Sequence, residues 1–156
     1  MSPVFRLVLF VPFLIAFAGT AVAATPSVAE RLQALGLDYV IDEDGDYRIT
    51  ISYPRDKRRQ LVFVGGRTAS LGEFAVREVF APAAPVAHLD PGRALELLEA
   101  NRGAKLGAWE ADPEMLYFVI KLPDTVDAAE LGIAIQVAAE MADDMEIALS
   151  GGEDRF

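Results

Sequence analysis

The sequence predicts an α+β fold, an antiparallel sheet with flanking helices in the order α-β-β-β-β-α-β-β-α. Three observations carry this expectation. Asp44-Gly45 joins two β-prone runs, which marks a hairpin. A second hairpin pattern surrounds Asp112-Pro113-Glu114. Helical patterns flank and separate these hairpins with no β-α-β alternation, and no repeat at a solenoid period is present.

Ser27 reads as the N-cap of a first helix, with Val28, Leu32 and Leu35 at helical spacing, Glu30 in the first turn and Gly36 as its stop. Residues 38–42 and 47–53 follow as strands around a two-residue Asp44-Gly45 turn. Tyr47, Ile49, Ile51 and Tyr53 alternate with Arg48, Thr50 and Ser52, which gives the second strand one buried and one wet face. Residues 54–59 form a polar turn. Residues 60–64 are a third strand, apolar on both faces and stopped by Gly65-Gly66, and residues 73–80 are a fourth. Residues 81–85 contain Pro82 and Pro85 and read as a stiff connector outside any ladder. Asp90 and Pro91 start a second helix with Ala94, Leu95, Leu97 and Leu98 as its apolar face and Gly103 just past its end. Residues 105–111 and 115–122 form the second hairpin, whose apolar second strand is expected to lie centrally and ends at Pro123. Asp127 and Glu130 form a capping-box-like start to the last helix, which runs to about Met145 and leaves residues 151–156 as a loose tail.

The last helix has only a thin polar stripe, Gln136, Glu140, Asp143 and Asp144. Such a helix is either sandwiched between layers or used in an interface. Ile133, Val137 and Met141 are the candidates for a homodimer contact that covers leftover apolar area.

Residues 1–23 have the order of a secretory signal peptide: Arg6, a 12-residue apolar stretch from Leu7 to Ala18, and Ala21-Val22-Ala23 as a cleavage signal before Ala24. The expected address is periplasmic or secreted, with residues 24–156 as one domain; an uncleaved membrane anchor is the alternative. Acidic residues outnumber basic ones 24 to 14, a net charge of −10, which argues against nucleic acid and anionic lipid as partners. Removal of the leader takes away Arg6 and no acid.

The inventory for catalysis is nearly empty. The absence of cysteine excludes disulfides, thiolate metal sites and Cys nucleophiles. The single histidine, His88, excludes a multi-histidine metal site, and no serine sits in a Gly-x-Ser-x-Gly elbow. Asp42, Asp44 and Asp46 surround Gly45, but an EF-hand register starting at Asp42 puts Tyr47 and Tyr53 where glycine and glutamate are required. The one basic run, Arg55-Asp56-Lys57-Arg58-Arg59, reads as a solvated turn. No cofactor and no metal are expected. Arg48, Thr50 and Ser52 on the wet strand face and the lone Trp109 are the candidate partner-binding residues, the tryptophan as an anchor or else as core.

Leu35-Gly36-Leu37-Asp38-Tyr39, followed by Asp42-Glu43-Asp44-Gly45-Asp46-Tyr47, resembles the opening of YbjN domains. Leu97-Leu98-Glu99-Ala100-Asn101, Leu106-Gly107-Ala108-Trp109, Tyr117-Phe118-Val119 and the Ala-rich last helix resemble its second half. That family is similar in fold to the type III secretion chaperones, small acidic homodimers that bind other polypeptides, and is often labelled a sensory transduction regulator. The resemblance implies a chaperone-like fold and a non-enzymatic protein- or peptide-binding role. A small periplasmic hydrolase using carboxylates and an anchored envelope protein are the competing classes.

Overall fold

The computed structural model describes residues 25–90 and 92–156; the leader reading and Pro91 lie outside them. Among the described residues the chain forms α1 (Val28–Ala34), β1 (Tyr39–Ile41), β2 (Tyr47–Tyr53), β3 (Arg58–Val64), β4 (Ala69–Leu71), β5 (Phe74–Pro85), α2 (Arg93–Gly103), β6 (Ala108–Ala111), β7 (Met115–Pro123) and α3 (Ala128–Ser150). Every strand pair is antiparallel. The sheet runs β1-β2-β3-β5-β7-β6, with β4 folded back on β5. The α+β class and element order follow the sequence expectation, with one added strand, β4, between the third and fourth expected strands.

The helix starts are local. Ser27 accepts the Glu30 amide while the Glu30 carboxylate takes the Ser27 amide, and Asp127 and Glu130 repeat this box at the head of α3. The first hairpin departs from the expected two-residue turn. Asp42 N–H donates to the Asp46 carbonyl at 3.0 Å, which leaves a three-residue loop with Gly45 at φ +88°. The Asp42 carboxylate imposes the longer loop by accepting the amides of Asp44 and Asp46 at 3.0 and 2.9 Å.

The expected connector at residues 81–85 is instead the end of β5. Ala81 pairs with Phe118, Pro82 with Tyr117 and Pro85 with Met115 on β7, with a register shift between Pro82 and Ala84. On the other side, β5 pairs with β3 only at Phe80 and Val79. Below that point Gln60 Nε2 donates to the Pro82 carbonyl at 2.8 Å, so a side chain does the bonding where proline has no N–H to offer.

One face of the sheet carries the core. Ile49, Val62, Val64, Val79, Phe118 and Ile120 point toward α3, whose Ala134, Ala138, Ala139 and Ala142 are fully buried. The alanines let α3 lie close on β3, β5 and β7, with which it makes its sheet contacts. Helix α1 adds Val28 and Leu32 and meets α3 where Gly132 faces Leu35. Helix α3 runs past Met145 to Ser150 and stops at left-handed Gly151. Helix α2 contributes only Leu97 to the core. Its expected apolar face is corrected: Leu95 and Leu98 are 64% and 65% exposed. Its N-cap is Gly92, and Gly103 is its last residue rather than the one beyond it.

Candidate functional site

Two kinds of surface are left over once this core has formed. The first is the uncovered face of the sheet. Residues that pair directly across an antiparallel ladder share a face. The pairs Arg48–Phe63, Phe63–Phe80, Phe80–Val119 and Pro82–Tyr117 therefore define a face turned away from α3. The three helices of the described residues lie on the other side or at the rim: α1 packs on α3, and α2 places Leu97 with Trp109 in the core. On the open face Phe63 stacks on Phe80 with centroids 5.2 Å apart, and Phe80 meets Tyr117 edge-on at 5.9 Å. Lys121 lies across Glu110 at 2.5 Å and Glu78 at 3.7 Å.

The second is the pair of sheet edges, which are treated differently. At β6, Asn101 of α2 accepts the Trp109 amide at 2.6 Å and donates to the Trp109 carbonyl at 3.2 Å, which blocks that edge at Trp109. At β1 nothing comparable exists among the described residues. The Asp42–Asp46 bond fixes the alternation, so Val40 bonds inward to β2, while the N–H and C=O groups of Tyr39 and Ile41 point outward. Val40 and Ile41 are 56% and 55% exposed. Because β1 pairs only with Tyr47–Ile49, residues 51–53 of β2 have no strand on their outer side. An apolar groove of about 570 Å³ opens there, lined by Leu35, Leu37, Ile51, Tyr53, Ile133 and Ile135 among others.

Beneath the helix-covered face lie two ionic groups. Arg58 is buried; its Nε donates to Asp143 and its NH2 group to Glu146, both at 2.7 Å. Its NH1 group donates to the carbonyls of Gly152 and Glu153 at 3.2 and 2.9 Å. The residues read as a solvated turn and a loose tail are thus corrected. Arg58 belongs to β3, and the tail folds back onto it, with Arg155 N–H on Glu146 at 2.7 Å. Asp143, placed in the polar stripe of α3, is buried for the same reason. Burial foremost pushes the Glu146 carboxyl above its ordinary range, against the hydrogen bond from Arg155 and the charge of Arg58. Burial, then the charges of Asp143, Glu140 and Asp144, pushes the Tyr53 phenol up to about 12. The second group joins α1, β5 and the β7–α3 connection. Arg31 and Arg77 both donate to Asp124 Oδ1, at 3.0 and 2.6 Å. The Arg77 hydrogen bond foremost holds Asp124 below its ordinary value, against burial and with help from Arg31.

The sequence candidates fall apart into different environments. Arg48, Thr50 and Ser52 are exposed on the open side of β2, where the alternation of that strand put them. Trp109 is 7% exposed and packs edge-on against Phe118 at 5.1 Å, so its side chain is core and not a surface anchor. Ile133 is exposed, but Val137 and Met141 pack against the core, and the three do not form one free patch. His88 lies in a 3-10 turn at Val86–His88. Among the described residues no hydrogen bond joins it to Ser150, whose hydroxyl donates to the Glu153 carbonyl. No three His, Cys, Asp or Glu residues converge as a metal-ligand cluster among the described residues, and no helix there is long and apolar enough to cross a membrane. The β1 edge and the Phe63–Phe80–Tyr117 belt escaped the sequence reading. Their one advance signal was an uninterrupted apolar run, Leu61-Val62-Phe63-Val64, whose second face is uncovered. In comparisons with known protein families and with curated proteins, the chain matches none.

Proposed function

We propose that this is an exported, non-enzymatic domain that binds extended polypeptide segments, taking them up as an added strand along β1. The observation that carries the reading is the asymmetry of the two edges: β6 is blocked at Trp109 by Asn101, while among the described residues Tyr39 and Ile41 present unpaired backbone groups between exposed apolar side chains. An incoming strand gains ladder hydrogen bonds there, and side chains near the end of β1 find the apolar groove beside β2. The resemblance to YbjN domains, and through them to polypeptide-binding chaperones, points the same way, as does the signal-like leader for an extracytoplasmic role.

The test is a panel of ten-residue peptides tiled across exported proteins, assayed by fluorescence anisotropy against the purified protein and its Ile41→Pro variant. Ile41 points its N–H outward, so proline removes a docking donor and leaves the β1–β2 ladder in place. Peptides that bind should lose roughly tenfold in affinity, the equivalent of about one good backbone hydrogen bond. Peptides bound equally by both proteins would refute edge capture. Turnover of a substrate, abolished by replacing one or two acids, would move the protein to the hydrolase class.

A further inference from the structure

We propose that the open face of the sheet is a second docking surface, for a polypeptide segment that carries arginine or lysine side chains. Phe80 lies at its centre. Three neighbouring hollows of about 380, 300 and 390 Å³ all include Phe80 in their walls. Asp44 and Asp46 wall two of them, one with Glu78 and Arg67 and the other with Asp42 and Phe156; Glu78, Glu110 and Asp112 wall the third, where Lys121 bridges the two glutamates, so acids outnumber bases at each wall. Between the acid walls lies the belt of Phe63, Phe80 and Tyr117.

Aromatic faces between carboxylates suit a guanidinium or ammonium group, which gains charge attraction at the wall and a cation–π contact at the floor. Arginine fits best, because its planar group can stack on a ring while it donates to an acid. Charge also selects against other occupants. A second copy docked face to face would set acid wall against acid wall, on chains of net charge −10 each. Nucleic acid and anionic lipid meet the same repulsion. Among the described residues the acids do not converge on one point as metal ligands would; Asp42, Asp46 and Asp112 spend a carboxylate oxygen on backbone amides, Glu110 is paired with Lys121, and the Asp44 carboxylate makes no hydrogen bond. The face goes beyond strand capture at β1: one acid wall is the loop that follows β1, but its floor, Phe80, lies on a strand three positions across the sheet from β1, about 14 Å away at ordinary strand spacing.

The experiment uses a dye-labelled, end-blocked alternating arginine–alanine octapeptide and its glutamate–alanine counterpart, titrated with the purified protein. Two variants probe the wall and the floor: Asp44→Lys inverts an exposed charge, and Phe80→Leu removes the ring while keeping apolar volume. Thermal melts establish that both remain folded. The arginine peptide should bind, weaken as salt rises, lose roughly tenfold in affinity with Asp44→Lys and roughly threefold with Phe80→Leu, and be indifferent to Ile41→Pro. Equal binding of the glutamate peptide, no binding of the arginine peptide, or binding untouched by Asp44→Lys and Phe80→Leu would overturn the proposal. So would loss of binding in Ile41→Pro alone, which assigns the peptide to the edge, or self-association of the protein that disappears in Phe80→Leu, which assigns the face to a second copy.

Discussion

Tyr117 and Phe118 are neighbours on β7 and point to opposite sides of the sheet. Phe118 is fully buried beneath α3, against Trp109; Tyr117 is half-buried beside Phe80, with no helix above it. The same contrast runs through β3, where Arg58, Gln60, Val62 and Val64 are buried while Arg59, Leu61 and Phe63 are not. The helix-covered face is sealed, with aliphatic side chains packed around Phe118 and Trp109, and is cross-linked by buried charge. The open face is aromatic and walled by acids. One stores the stability of the domain, and the other leaves aromatic surface available to a partner.

The largest expected effect lies under the covered face. Arg58→Met leaves Asp143 and Glu146 buried without their cation, and should cost about 3–5 kcal/mol in urea unfolding. Release of the tail should accompany it, read as loss of amide protection at Arg155, whose N–H rests on Glu146. A cost below about 1 kcal/mol would show that the two carboxylates are neutral or wet, and would erase the contrast between the faces.

A matched pair of phenylalanines gives the next test. Phe118→Ala should destabilise by about 3–5 kcal/mol, as a large cavity in a sealed core does. Phe80→Ala on the open face should cost less than half of that, because one side of its ring has no protein to lose. Equal costs would mean that the open face is packed as tightly as the core.

The smallest expected effect is a pH dependence with two opposite signs. Asp124 is held below its ordinary value, so the stability it lends through Arg77 and Arg31 is complete above about pH 3.9 and is lost as pH falls through the lower folded value. Glu146 is raised, so its charged form is a burden that is relieved as pH falls toward about 4.3. Denaturant melts on descending pH should therefore show a shallower acid decline in Asp124→Asn and a steeper one in Glu146→Gln than in the unsubstituted protein. Parallel curves for all three would remove these two groups from the acid response.

The legible parts of this chain are those whose cause is local. The Ser27 cap and the Asp127–Glu130 box involve residues no more than three positions apart, and the alternation of β2 needs only the pleat, so these stood in the sequence, as did the antiparallel α+β class; that Glu30 completes a box with Ser27 appears in the structure. Arg58 was misread because its partners lie more than 80 positions away on α3 and in the tail, and a basic run in an acidic protein looks like a solvated turn until a carboxylate pair closes over it. Residues 81–85 were misread because proline usually ends pairing; Gln60 and a shift in register let the strand continue. Leu95 and Leu98 sat at helical spacing with Leu97, yet α2 meets the sheet chiefly along β6 and buries one leucine of the three.

What the amino-acid order determined by itself was the order of helices and strands apart from β4, the caps that start α1 and α3, the two-faced character of β2, and the exclusion of cysteine and multi-histidine chemistry. Those are matters of neighbours in the chain and of composition. What only the tertiary structure decided was which surface stays open. Among the described residues, α2 blocks the β6 edge at Trp109 while no segment covers the β1 edge. The Phe63–Phe80–Tyr117 belt is open because the three helices of the described residues gather on the opposite face or at the rim. Both outcomes depend on where a helix comes to rest after the chain has crossed the sheet, and that is set by contacts between residues far apart in sequence, which no local pattern records.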